Sequence, residues 1–249
     1  MTDRCFRLIK GCTKFSARSM LQSGQKQRNL TICVEGNIAS GKTTMLNHFR
    51  ESFSDIEVCE EPVKLWRNIG GNNLFEMMYK DPKRWSYTFQ TYTLLTMMKT
   101  HNDEQTKEHR LIERSAYSAV YCFVENLYLS GNISKVEYTI HHEWFDWLKR
   151  VQTPKIDLLV YIRTPPGECL ARLQARGRKE EEGVPLKLLQ DLHERYEDWL
   201  VKRTKFETPA PVIVIDGEKS IDEMVSHYHD SIGLLFDSHS NLSSKTLFS

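Results

Sequence analysis

Five short β-rich runs punctuate the chain, and longer stretches with helical spacing lie between them. The runs predict strands near Leu30 to Glu35, Glu57 to Glu60, Arg110 to Glu113, Ile156 to Arg163 and Val212 to Ile215. Three of them, LTICV, DLLVYI and VIVI, are almost unbroken apolar segments, the pattern of strands covered on both faces. Between them, helices are predicted over 42 to 53, 73 to 80, 83 to 101, 116 to 130, 137 to 150, 166 to 176, 185 to 203 and 220 to 236. Such alternation predicts one α/β domain over 30 to 236, with a five-stranded parallel sheet, helices on both faces and ligands at the carboxyl ends of the strands.

The flanks differ in composition. Residues 1 to 29 set Arg4, Arg7, Lys10, Lys14, Arg18, Lys26 and Arg28 against Asp3 alone. That bias belongs equally to a mitochondrial transit peptide and to a disordered basic arm. Residues 237 to 249 are Ser-rich and polar and read as a frayed tail. Across the whole chain 34 Lys and Arg face 33 Asp and Glu, a net charge of +1 that provides no field to gather polyanions. A small-molecule partner is expected in place of nucleic acid. No run approaches the roughly 18 apolar residues of a membrane span, so no membrane partner is expected either. The six cysteines form no Cys-x-x-Cys pair, which fits reduced thiols in an intracellular protein, with Cys33 and Cys59 as core residues. His141-His142-Glu143 lacks the second spaced histidine of a zinc helix and reads as surface, and Trp144 and Trp147 read as helix packing.

The end of the first predicted strand carries the sharpest chemistry. Gly36-Asn37-Ile38-Ala39-Ser40-Gly41-Lys42-Thr43, continued by Thr44, fits the phosphate-binding loop G-x-x-x-x-G-K-[ST] in its required place between strand and helix. Its glycines let successive N–H groups turn inward toward phosphate oxygens, and the following helix adds its positive end. Lys42 is expected to reach the terminal phosphates and Thr43 to hold Mg²⁺. No guanine-reading Asn-Lys-x-Asp is present, and the Asp-x-x-G at Asp230 to Gly233 lies in the last predicted helix, so a GTPase is excluded. No strand ending in Asp-Glu suggests a motor or helicase.

Other strand ends carry charge. Glu60-Glu61-Pro62 follows the second strand, Glu113-Arg114-Ser115 ends the third, and Arg172, Arg176 and Arg178 lead into Lys179-Glu180-Glu181-Glu182-Gly183. Taken singly these are a turn, a surface ion pair and a solvated helix face. Beside a phosphate loop they place a carboxylate at the sheet's upper edge, an acid and a base at the triphosphate end, and a short Arg-rich lid.

In this order, Val-Glu-Gly-Asn-Ile-x-Ser-Gly-Lys-Thr-Thr, Glu-Pro-Val-x-x-Trp, Tyr79-Lys80-Asp81-Pro82, Phe89-Gln90-Thr91-Tyr92, Glu113-Arg114-Ser115, Tyr121 to Asn126, Arg176-x-Arg178 and Val184-Pro185-Leu186 resemble the deoxynucleoside kinases over about residues 29 to 220. The nearest likeness is to the insect multisubstrate branch, then to mitochondrial thymidine kinases. The resemblance implies a P-loop kinase fold, a homodimer, and transfer of the γ-phosphoryl of ATP to a deoxynucleoside 5′-hydroxyl with Mg²⁺. It also implies roles: Glu61 as general base, Arg114 holding it, Glu113 with Thr43 orienting the metal, Arg172 on ATP, and Arg176 and Arg178 stabilising the phosphoryl in flight. By the same resemblance Gln90 reads the base, Phe89 and Phe123 border it, and Ile38, Trp66, Met78 and Met97 form the apolar wall. Tyr79 and Glu181 then fix the 3′-hydroxyl. Thr93, opposite small Ala119, departs from a valine in the relatives and unsettles the preference for pyrimidines over purines. Two rivals stay open: a nucleoside monophosphate kinase of the thymidylate type and a non-catalytic nucleotide sensor. For location, cytosol or nucleus stands ahead of mitochondrion.

Overall fold

Side-chain alternation along the strands divides the core between the two faces of the sheet. In the computed structural model, which describes residues 29 to 228, Ile32, Val34, Leu111, Val160 and Ile162 point to one face and Cys33, Ile112, Leu159 and Tyr161 to the other. Neither set reaches water, which is why the strands read as continuous apolar runs. The strands are β1 (Leu30–Glu35), β2 (Ile56–Cys59), β3 (His109–Glu113), β4 (Leu158–Arg163) and β5 (Val212–Asp216), all parallel in the order β2-β3-β1-β4-β5. With β1 central and β3 and β4 on either side, the chain reverses its winding there. The carboxyl end of β1 is therefore the place where an open parallel sheet leaves a crevice.

The first face is covered by α1 (Lys42–Ser52), through Met45, Leu46 and Phe49, and by helical residues 221 to 228, through Met224, Val225 and Tyr228. The second is covered by a helical run and by α9 (Leu186–Tyr196) with its continuation. The run comprises α5 (Ala116–Ser118), a π-helical turn (Ala119–Val124) and α6 (Glu125–Leu129); a second π turn (Glu197–Val201) prolongs α9. Beyond β2 lie α2 (Val63–Trp66), α3 (Leu74–Lys80) and α4 (Pro82–Asn102), which pack with α7 (Lys135–Val151) around Phe89, Met97 and Phe145. Between β4 and α9 come α8 (Pro166–Arg176) and a 3₁₀ turn (Lys179–Glu181).

Local chemistry explains several boundaries. Asn73 accepts the N–H of Glu76 at 3.0 Å to start α3, and Asp81 accepts that of Arg84 at 3.3 Å to start α4, with Pro82 in the first helical position. Ser134 and Glu137 form a capping box, so α7 begins at Lys135, two residues ahead of the sequence expectation. The segment after Pro62, read as a turn, closes into one helical turn, and the helix expected over 116 to 130 contains six π-helical residues. Ile156 and Asp157 precede β4 and do not belong to it.

One expectation fails outright: His141 is buried, not on the surface. Trp144 and Trp147 pack edge to face at 5.9 Å as their spacing predicts, and both stay about half exposed. The cause is a helix with two apolar sides: Phe145 faces the core, and Val136, Ile140, Trp144, Trp147 and Val151 face outward. Cys33 is core as expected; Cys59 is half-buried at its edge. Among the described residues no helix is long and apolar enough to cross a membrane. The expectations for residues 1 to 28 and 229 to 249, including the Asp-x-x-G and the second half of the last predicted helix, lie outside the described residues.

Candidate active site

A cavity of about 980 Å³ opens at the carboxyl ends of β1, β2 and β3. Residues 38 to 44 of the phosphate loop form one end of it. Gly36 and Gly41 take φ of 145° and 104°, and a Cβ on Gly36 would lie 2.7 Å from both the Ile162 carbonyl and Ser40 Oγ, so only glycine fits. The Ser40 carbonyl accepts Thr164 Oγ1 at 2.9 Å and Arg172 Nη1 at 3.4 Å, bracing the loop from the end of β4 and from α8, while Arg172 Nη2 donates to the Gly217 carbonyl at 2.9 Å. Ser40 Oγ is buried with no hydrogen-bond partner.

Lys42 folds back so that Nζ donates to the Asn37 carbonyl at 2.7 Å. Burial and then the charge of Arg114 pull its ammonium down to about 8, against the pull of Glu113 and Glu61. Thr43 Oγ1 donates to Glu113 Oε1 at 2.8 Å. Burial, followed by the charge of Glu61, raises the Glu113 carboxyl above the usual carboxylate range.

Arg114 is the hub. Its Nη1 donates to Glu61 Oε1, its Nε to the Tyr196 hydroxyl at 3.2 Å and its Nη2 to the Gly36 carbonyl at 3.3 Å, and its guanidinium lies 4.9 Å from the centre of the Phe123 ring. Burial alone would weaken its charge, but Glu61, Tyr196 and Glu113 hold its pKa above the ordinary arginine value. Glu61 is thus aimed into the cavity by an arginine that is itself held on three sides.

The lid stands between the two ends. Arg176 donates to Glu181 Oε2 at 2.6 Å, Arg178 lies 3.6 Å from Glu181 Oε1, and Glu181 is buried. Arg67 donates to both oxygens of Glu180 at 2.8 and 3.1 Å, and Asn73 adds a bond at 3.2 Å, tying the lid to α2 and the start of α3. Tyr79 faces the same space, and burial followed by the charge of Glu181 raises its phenol well above the ordinary value.

The far end is apolar and walled by Trp66, Met78, Phe89, Met97, Ala119 and Phe123. Trp66 is pinned by its indole N–H, which donates to Thr96 Oγ1 at 2.9 Å, and Phe89 meets it edge to face at 5.4 Å. Ala119 and Phe123 lie in the π-helical turn, whose widened pitch sits at the pocket wall. Two polar groups enter this wall, and both keep an unanswered atom: Gln90 Oε1 and Thr93 Oγ1 are buried without a hydrogen-bond partner. Native interiors rarely leave such atoms unpaired, and both of these belong to residues that line the cavity.

Every residue expected in the site lines this cavity except Gly36 and Asn37. The Asn37 side chain has a structural task. Its amide donates to the Leu189 carbonyl at 2.8 Å and its Oδ1 accepts the Ile38 N–H at 2.8 Å, so the side chain braces the loop against α9. Sequence reading missed Tyr196 and the Arg67–Glu180–Asn73 tie, since a tyrosine in an amphipathic helix and an arginine after a turn look ordinary. It also missed Asn47, Lys219, Ile221 and Met224, which line the cavity beside the phosphate loop.

Comparison with known proteins agrees with this geometry. The family model described as deoxynucleoside kinase matches residues 32 to 234. The mitochondrial thymidine kinase 2 of Macaca fascicularis is 46% identical over 207 residues, covering 83% of this chain and 78% of the relative. Deoxycytidine kinase 2 of Gallus gallus is 38% identical over 227 residues, covering 79% and 85%, and the human deoxycytidine kinase is 35% identical over 236 residues, covering 83% and 89%. The matched span contains every residue of the cavity and all of the sheet but the first two residues of β1, and these relatives are covered over more than two thirds of their length: the chain belongs to the deoxynucleoside kinase family.

Proposed function

We propose that this kinase transfers the γ-phosphoryl of ATP to the 5′-hydroxyl of thymidine and deoxycytidine, with purine deoxynucleosides as weaker substrates, in nucleotide salvage. In breadth it stands with the insect multisubstrate enzymes its motifs resemble. The observation that carries this reading is Gln90, whose acceptor is buried and unpartnered at the apolar end of a cavity that holds Lys42 and Glu61 at the other. A glutamine amide offers both acceptor and donors and can turn about its last torsion, so it can meet thymine or cytosine at two points.

Glu61 takes the 5′-hydroxyl proton, while Arg114 keeps its carboxylate in line. Lys42 and Arg172 bind the triphosphate, and Arg176 and Arg178 meet the charge on the phosphoryl group as it moves. Tyr79 and Glu181 hold the 3′-hydroxyl. Thr43, Glu113 and Glu61 offer oxygen donors only, the set a hard cation takes, so they fit Mg²⁺; when bound, the ion would neutralise phosphate charge. Two copies would pair through the outward stripe of α7, whose aromatic and aliphatic side chains run some 22 Å along the helix. In location we place the enzyme in cytosol or nucleus ahead of the mitochondrion.

The test is ADP formation with Mg²⁺–ATP and each of the four deoxynucleosides or thymidine monophosphate. Turnover of thymidine and deoxycytidine, weaker turnover of the purines and none of the monophosphate is expected. Turnover of the monophosphate without thymidine would overturn the reading.

A further inference from the structure

Glu35 is the last residue of β1 and has no solvent exposure. A buried carboxyl is costly unless its oxygens are used. Oε1 accepts two bonds from Ser115, from the backbone N–H at 2.9 Å and from the hydroxyl at 2.6 Å, while Oε2 has no hydrogen-bond partner. Burial raises the carboxyl above its ordinary range, against the pull of the Ser115 and Ser118 hydroxyls and the charge of Arg114.

What this bond holds is the turn before it. Arg114 has a φ of 59°, the left-handed region, which strains a non-glycine residue and persists only where the surroundings enforce it. Three successive residues enforce it here. The Val34 carbonyl accepts the Arg114 N–H at 3.0 Å, the Gly36 carbonyl accepts its guanidinium, and between them Glu35 alone grips the following residue with a side chain. Ser115 is doubly held, because its Oγ also accepts the Ser118 N–H at 3.4 Å at the start of α5.

We propose that Glu35 is a positioning residue for phosphoryl transfer: through Ser115 it fixes the turn that aims Arg114 at Glu61, without touching either substrate. The proposal rests on the roles given above to Arg114 and Glu61. Alignment of reacting groups is worth about 10²-fold for a displacement near 1 Å, so losing the bond should appear in the chemical step.

The test is the single-turnover rate of thymidine phosphorylation, which is independent of the fraction of active enzyme, together with both KM values and a melting temperature. Glu35→Ala should lower the single-turnover rate by roughly 10- to 100-fold with the KM for ATP unchanged, and Glu35→Gln, which keeps an acceptor for Ser115, should recover most of it. A wild-type rate in Glu35→Ala overturns the proposal, as does a glutamine variant as slow as the alanine one. If Glu35→Ala does not fold, Ser115→Ala carries the test: a fall of roughly tenfold supports the proposal and an unchanged rate overturns it. Glu61→Gln serves as the control. If it too keeps the wild-type rate, the reading of the site has failed; if it alone is slow, only the role of Glu35 has.

Discussion

At the phosphate end of the cavity Lys42, Thr43 and Arg114 each rest on a neighbour's oxygen, whereas at the base end Gln90 Oε1 and Thr93 Oγ1 are buried and answered by nothing. The first end is assembled from contiguous residues on one strand–loop–helix unit plus the ends of two further strands. The second is assembled from α2, α3, α4 and the π turn, with no two of its readers adjacent in the chain except Phe89 and Gln90. The charged end is thus preorganised by its own hydrogen bonds. The neutral end keeps its polar atoms for the ligand, and selectivity belongs there.

This division predicts reciprocal damage. Lys42→Ala should all but abolish turnover while thymidine binding, followed by calorimetry, stays near wild type; Gln90→Ala should raise the KM for thymidine by roughly 10- to 100-fold while ATP binding is unchanged. If either variant damages both ends equally, the two ends are not separate.

A proton sharpens the contrast. Lys42 sits near 8 because of burial and Arg114, and a bound triphosphate favours its charged form. Its pKa is therefore higher in the complex than in the free enzyme, and binding takes up a proton above pH 8. ATP affinity should be flat in this group below that pH and fall by up to about tenfold per unit above it, measured as Kd from pH 7 to 9.5. Lys42→Arg, which stays charged, should flatten the profile, and thymidine affinity should show none of it.

The smallest effect is at Thr93. Replacing its unanswered hydroxyl by a methyl in Thr93→Val should raise the pyrimidine-to-purine ratio of kcat/KM about tenfold, within the ~1–3 kcal/mol such a wall change commands, without abolishing either activity. Unchanged ratios would show that Thr93 does not face the base.

The same contrast governs what could be read from sequence. Gly36 to Thr43 declares itself because backbone conformation, charge and metal ligand must all fall within eight adjacent positions, and Glu61 and Glu113-Arg114 follow because strand ends converge on that loop. The central strands were legible because a doubly covered strand leaves little room for polar residues, whereas the edge strands β2 and β5 are only partly buried, and β2 was read from its place in the alternation. Trp66, Gln90 and Phe123 come from separate helices and resemble ordinary core until the fold brings them together; only the family resemblance pointed to them. His141 was misread because periodicity shows that a helix has an apolar side but not which side meets the core, and α7 has two. Glu35 was passed over because an acid ending an apolar strand looks like the strand's exit to solvent.

The two ends meet at Glu61, and the claim that phosphoryl transfer occurs between them is tested most directly there. Under saturating thymidine and Mg²⁺–ATP, Glu61→Gln keeps size and one acceptor but cannot take the proton, so kcat should fall by roughly 10²–10⁴-fold with both KM values little changed. Turnover retained at the wild-type rate would contradict the account.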